Sequence, residues 1–234
     1  MALLEVCAAD IESVQAAVEG GAHRIELCSA LSADGLTPSM GLMAEARRIT
    51  ADGGVLMNVL MRPDERPGFI LSDAAAQVVC RDIAEAARIG ADGVVIGALT
   101  PEGDIDIRRV RQLTEFARDC GLSVTFHRAF DHVRKPLDAL EELIEIGCDR
   151  LLTSGQASTA QEGRMLLRQL VELAAGRIVI MPGAGVTPDN AADIARYTGA
   201  AELHSSCRRK SAVSSDAVTV RAIASSITRI YPIP

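Results

Sequence analysis

The chain predicts a closed (β/α)8 barrel, a single domain over residues 1–234. Strand-like and helix-like segments alternate strictly, eight of each, which implies parallel strands joined by helical crossovers. A glycine-led phrase recurs where helices hand over to strands: GGAHRIEL (20–27), IGADGVVI (89–96), IGCDRLLT (146–153) and TGAAELHS (198–205). Chemistry-bearing side chains gather at strand C-termini, where barrels of this kind build their sites. The runner-up, an open doubly wound sheet, lacks its fingerprint: Gly183-Ala-Gly185 runs on into Val-Thr-Pro without a third glycine. No nucleotide cofactor is expected.

In chain order, the strands are Leu3–Ala8, the RIELCS run Arg24–Ser29, Val55–Met61, the 89–96 echo, Ser123–Phe130, the 146–153 echo, Arg177–Met181 and the 198–205 echo. Each echo sets a glycine behind an amphipathic helix, the residue type that suits a left-handed helix cap. The helices read as Ile11–Val18, Met40–Ile49, Ser72–Ile89, Arg108–Cys120, Pro136–Ile146, Gln161–Ala174, Pro188–Tyr197 and Asp216–Ile227. Asp10, Ser39, Ser72 and Thr187 are the expected caps, and Asp104 and Asp106 read as capping the fourth helix.

Composition excludes several classes. Hydrophobic residues at 48% and charged residues at 24% suit a globular chain rather than a disordered one. Apolar runs are short and broken, so no membrane span is expected. A net charge of −7 argues against nucleic acid, and Arg208-Arg209-Lys210 is too short a cluster to reverse that. The start of the chain shows no basic-then-apolar leader, so no signal peptide is expected. The six cysteines, with no CxxC pair, read as reduced thiols of a cytoplasmic protein. The only lysines, Lys135 and Lys210, lie away from strand ends, which argues against a Schiff-base aldolase.

A strand alternates faces with period two, so Glu5 shares a face with Cys7, and Glu26 with Cys28. Both pairs are expected to face the barrel interior near its mouth. Later strand ends add Asn58 and Arg62; Thr125, His127, Arg128 and Asp131; Thr153 and Ser154; Gly183 and Gly185; His204 and Ser206. The alternative for Glu5 and Glu26 is a structural role, neutralised by Arg62 or Arg128. For Cys7 and Cys28 it is simple packing. The glycines after the seventh strand suit an amide cradle for an anion, or a packing turn.

LEVCA near the start, GGAHRIELCSALSADGLTPSMG (20–41), TFHRAFD (125–131), LTSG (152–155), IMPGAGV (180–186) and HSS (204–206) together resemble the CutC family. The resemblance implies a TIM barrel, a cytoplasmic role in copper homeostasis, and Cu(I) ligands at Cys7 and Cys28. One segment departs. Where the family reads R-P-R-x-G-x-F-x-Y-S, this chain has RPDERPGFILS (62–72), with Asp64 for the second Arg, Leu71 for the Tyr and one extra residue. Arg66 is the residue available to stand in.

Two functions follow. One is a copper-homeostasis protein binding Cu(I) through Cys7 and Cys28, since a soft ion favours thiolates. The other is an isomerase, epimerase or lyase acting on a small anion. There Glu5, Glu26, His127, Arg128, Asp131 and His204 are the catalytic candidates. Arg62, Thr153, Ser154, Gly183, Gly185 and Ser206 would hold the substrate. In a variant, Glu5, Glu26, His127 and His204 hold a divalent metal. The expected partners are a copper ion or a small anionic molecule, with room for a homo-oligomer.

Overall fold

The computed structural model describes residues 2–228. Residues 1 and 229–234 of the expected domain lie outside the described residues. Eight strands, β1 (Leu3–Ala8), β2 (Arg24–Leu27), β3 (Leu56–Leu60), β4 (Gly93–Ile96), β5 (Ser123–Phe126), β6 (Arg150–Thr153), β7 (Val179–Pro182) and β8 (Glu202–Ser205), form one sheet. The order is β7-β6-β5-β4-β3-β2-β1-β8, and every paired neighbour is parallel. The ends of that order, β7 and β8, meet at the seam of a nearly closed (β/α)8 barrel without a hydrogen-bonded ladder among the described residues.

The described residues form eight α-helices, α1 (Ile11–Gly20), α2 (Met40–Gly53), α3 (Asp73–Ile89), α4 (Ile107–Asp119), α5 (Pro136–Ile146), α6 (Arg164–Ala174), α7 (Ala191–Thr198) and α8 (Ala217–Thr228). Asp10, Ser39, Ser72 and Asp106 cap helices as expected, each accepting from the backbone N–H three residues on. Asp104 does not cap; it pairs with Arg134. The four echoes earn their glycine: Gly21, Gly90, Gly147 and Gly199 all end helices at positive φ, 76° to 92°, a region that L side chains enter only with strain.

Two helix starts fall later than the sequence suggests. Residues 188–190 form a turn, in which Thr187 N–H donates to Asn190 Oδ1 and Asn190 N–H to Thr187 O. Thr187 and Pro188 therefore do not open α7, which begins at Ala191. Likewise α6 begins at Arg164, after Gly163 has passed against the Ser154 carbonyl at a distance no side chain would permit.

Period-two alternation sorts each strand. Leu4, Val6, Ile25, Leu27, Met57, Val59, Val94, Ile96, Val124 and Phe126 are buried in one cluster with the helices' apolar faces. The interior face carries Glu5, Arg24, Glu26, Asn58, Thr125 and His204 instead, all buried. No helix among the described residues is long and apolar enough to cross a membrane.

Candidate functional site

The barrel interior is threaded by charge. Parallel register sets Glu5 opposite Arg24 and His204, and Cys7 opposite Glu26. Arg24 donates Nε to Glu5 and Nη2 to Glu202, and Arg150 Nε lies 3.1 Å from Glu202 Oε2. Above them, His204 Nδ1 meets Glu5 Oε1 at 2.8 Å and His204 Nε2 lies 3.5 Å from Glu26 Oε2. One chain of contacts thus runs from Arg150 at the barrel floor to Glu26 at the mouth.

Two of its three glutamates, Glu5 and Glu26, have opposite fates. Burial alone would raise Glu5, but Arg24 and then His204 outweigh it and hold the carboxyl down to about 2. Glu26 has no arginine partner among the described residues, so burial pushes it up to about 7 against the attraction of His204. His204 is itself raised: burial opposes its charge, but Cys7, Glu5 and Glu26 all face the ring and prevail. Arg62 and Arg128, the cations that the structural alternative set beside these carboxylates, make no ion pair with either; Arg24 takes that role for Glu5.

Cys7 and Cys28 are not level. Cys7 stands in register with Glu26, and Cys28 lies just past the end of β2, where its N–H donates to Ala8 O. The stagger still leaves Cys7 Sγ 3.7 Å from Cys28 Sγ. Cys7, Glu26 and His204 offer ligand atoms all within 4.8 Å of one another. The Cys28 hydrogen bond and burial push the Cys7 thiol well up, so it is protonated at neutral pH until something displaces the proton. Cys80 and Cys120 sit on or just beyond helices, and neither lines the mouth.

These groups open onto a cavity of about 640 Å³ at the C-terminal ends of the strands. Arg62, His127, Arg128, Gly185, His204 and Ser206 line it; Glu5, Asp131, Thr153, Ser154 and Gly183 do not. Thr153 shares the face of Leu151, away from the interior. Asp131 instead accepts from Thr153 Oγ1, Ser154 N–H and Arg128 Nε, which ties the end of β6 to the turn after β5. Gly183 N–H is committed to Thr153 O.

His127 Nδ1 accepts from Ala129 N–H at 3.1 Å, and its ring packs so tightly on Gly97 that a Cβ there would lie 2.2 Å from it. Burial, then Arg62, lower it to about 4, so it is neutral at physiological pH. In the divergent loop, Arg66 is exposed and pairs with Asp64, away from the cavity lining. Phe69 lines the cavity instead, 5.2 Å from the His127 ring and beneath the Arg62 guanidinium.

Sequence reasoning passed over Arg24, Glu202 and Arg150, although Arg24 shares the Glu26 and Cys28 face of β2 by simple alternation. It also passed over Phe69, although the 62–72 loop that carries it follows the third strand and so belongs to the mouth.

A (β/α)8 barrel with two thiols, an imidazole and a carboxylate converging at its mouth defines the class. The CutC family model matches residues 2–209, and the chain belongs to that family. A family protein CutC of Vibrio vulnificus (strain YJ016) is 48% identical over 201 residues, 86% of this chain and 79% of that one. The Bacteroides fragilis counterpart is 47% identical over 207 residues, 88% and 80% of the two chains. The solved CutC structure from Streptococcus agalactiae superposes with a TM-score of 0.83 at 31% identity, covering 88% of this chain and 99% of that one. Thiamine phosphate pyrophosphorylase from Pyrococcus furiosus, at a TM-score of 0.67 and 20% identity over 98% and 97% of the chains, shares the fold alone.

Proposed function

We propose that this protein serves copper homeostasis by holding Cu(I) between Cys7 and Cys28, with His204 as the neighbouring third donor. The observation that carries the reading is the 3.7 Å separation of the two sulfurs at an open mouth, beside an imidazole. The donor set suits a soft ion, which prefers thiolate and imidazole to carboxylate. The spacing also bears on ligand number. With metal–sulfur bonds of ~2.3 Å, as for zinc, two sulfurs on opposite sides of an ion would sit about 4.6 Å apart. A gap of 3.7 Å therefore suits a bent site that takes a further ligand, and His204 lies next to Cys7. Binding displaces the thiol protons, so affinity rises with pH. The Streptococcus agalactiae relative is named for copper homeostasis, which supports the same reading. The isomerase, epimerase or lyase reading has no such support.

The test is competition for Cu(I) against a chromophoric chelator. Wild type and a Cys80→Ser/Cys120→Ser variant should withdraw the ion alike, and Cys7→Ser/Cys28→Ser should lose at least about a hundredfold in affinity. Unchanged affinity in Cys7→Ser/Cys28→Ser removes the site.

A further inference from the structure

The mouth cavity is far larger than a metal ion needs. At about 640 Å³ it falls within the range of small-molecule sites, roughly 300–1,000 Å³. Its lining has a sign. Arg62, Arg128 and Arg208 all border it, against the carboxyls of Asp34 and Glu26, and Glu26 already faces His204.

The arginines differ in what neutralises them. Arg128 pairs with Asp131 at 2.8 Å. Arg62 is half-buried and has no carboxylate partner among the described residues. Its Nη1 donates to the carbonyls of Ala33 and Gly35, which fixes the direction of the guanidinium. The Phe69 ring lies 5.2 Å beneath it. Arg208, exposed at the end of β8, likewise has no carboxylate partner among the described residues. A half-buried guanidinium aimed by backbone carbonyls and left without an anion is costly unless something supplies one.

The remaining wall is apolar, with Leu31, Leu60, Phe69 and Val186 on the same cavity. Backbone strain gathers at the same end: Ala30, Asp34, Phe69, Ala184 and Cys207 hold positive φ in the loops that follow β2, β3, β7 and β8. Strain of this kind persists where surrounding structure imposes it, commonly at ligand sites.

We infer that the cavity binds a small organic anion, a carboxylate or phosphate ester on an apolar body, with Arg62 and Arg208 as its anchors and Phe69 as its wall. The anchors are guanidiniums, and the glycine rim after β7 has fewer free amides than its sequence suggests. There, the Gly183 and Thr187 amides already donate to Thr153 O and Asn190 Oδ1. Neither anchor is one of the copper donors Cys7, Cys28 and His204, so the anion site stands or falls independently of copper.

Isothermal titration of phenyl phosphate and of inorganic phosphate into the metal-free protein, at fixed ionic strength, tests it. Phenyl phosphate should bind, and inorganic phosphate at least tenfold more weakly, because it leaves the apolar wall bare. Arg62→Gln and Arg208→Gln should each weaken phenyl phosphate at least tenfold, the loss of one charge-assisted contact. Arg111→Gln, on the outer surface of α4, should leave it unchanged. Cys7→Ser/Cys28→Ser should keep phenyl phosphate affinity even where Cu(I) is lost. Arg62 holds two loop carbonyls, so circular dichroism precedes its titration; should that variant unfold, the exposed Arg208→Gln decides alone. Absence of phenyl phosphate binding at millimolar concentration, or wild-type affinity in the folded arginine variants, overturns the site. Equal binding of the two probes overturns the apolar wall.

Discussion

Glu26→Gln tests whether the mouth carboxylate is a structural ion-pair partner or a strained functional group. Glu26 is 5% exposed, has no arginine partner among the described residues, and is raised from 4.5 to about 7 by burial. The folded state therefore holds a proton that the unfolded state releases between about pH 4.5 and 7. Unfolded protein binds fewer protons in that window, so stability falls as pH rises through it and the full penalty stands above about 7. At 1.36 kcal/mol per pH unit, the rise from 4.5 to about 7 caps the penalty at about 3 kcal/mol. Glutamine keeps the shape and cannot ionise. In the metal-free protein, Glu26→Gln should match wild type near pH 5 and exceed it by about 1–3 kcal/mol near pH 8, the lower end if His204 loses charge with its partner. Guanidinium unfolding at the two pH values, read as midpoints at constant m, measures the difference. A variant less stable than wild type near pH 8 would mean that Glu26 is half of a stabilising pair, and would refute the reasoning.

At the barrel floor the opposite is expected. Arg24→Met leaves Glu5 and Glu202 buried without their shared cation and should cost about 3–5 kcal/mol near neutral pH, read by the same unfolding midpoints; a loss below about 1 kcal/mol would show that the network is incidental. Gly97→Ala places a methyl 2.2 Å from the His127 ring and should cost about 1–3 kcal/mol by overpacking. It should also displace the imidazole, visible as a changed His127 ring signal in NMR; an unmoved signal would mean the close fit is slack.

The fold was legible because each level repeated the same instruction. Four glycine echoes fixed four helix-to-strand junctions, and all four glycines adopt the left-handed caps the phrase implies. Strict β–α alternation then left few topologies. Helix starts were less legible. Thr187-Pro188 carries the signals of a cap and first turn, and Thr187 does hold the turn, its carbonyl accepting from the Asn190 and Ala191 amides and its own amide donating to Asn190 Oδ1. The chain makes a turn there and opens α7 three residues later, at Ala191.

The site was legible as far as period two reaches. Alternation on β1 and β2 put Glu5, Cys7, Glu26 and Cys28 on one face, and the structure brings all four to the interior. What alternation cannot give is height. In a sheared barrel, neighbours around the ring are offset in sequence, so Cys7 meets Glu26 in register while its sulfur reaches Cys28 one step higher. Height also decides which cation neutralises which carboxylate. Arg62 and Arg128 stand at the strand ends, too high for Glu5, and Arg24, buried one layer down, reaches it together with Glu202. Because Arg24 is committed to the floor, the arginines above it are left for the mouth. Two of them, Arg62 and Arg208, then face a cavity with no carboxylate partner of their own among the described residues. The two layers thus divide the labour: the lower one closes its charges among themselves and stabilises the barrel, and the upper one leaves thiols, an imidazole and guanidiniums open to whatever enters.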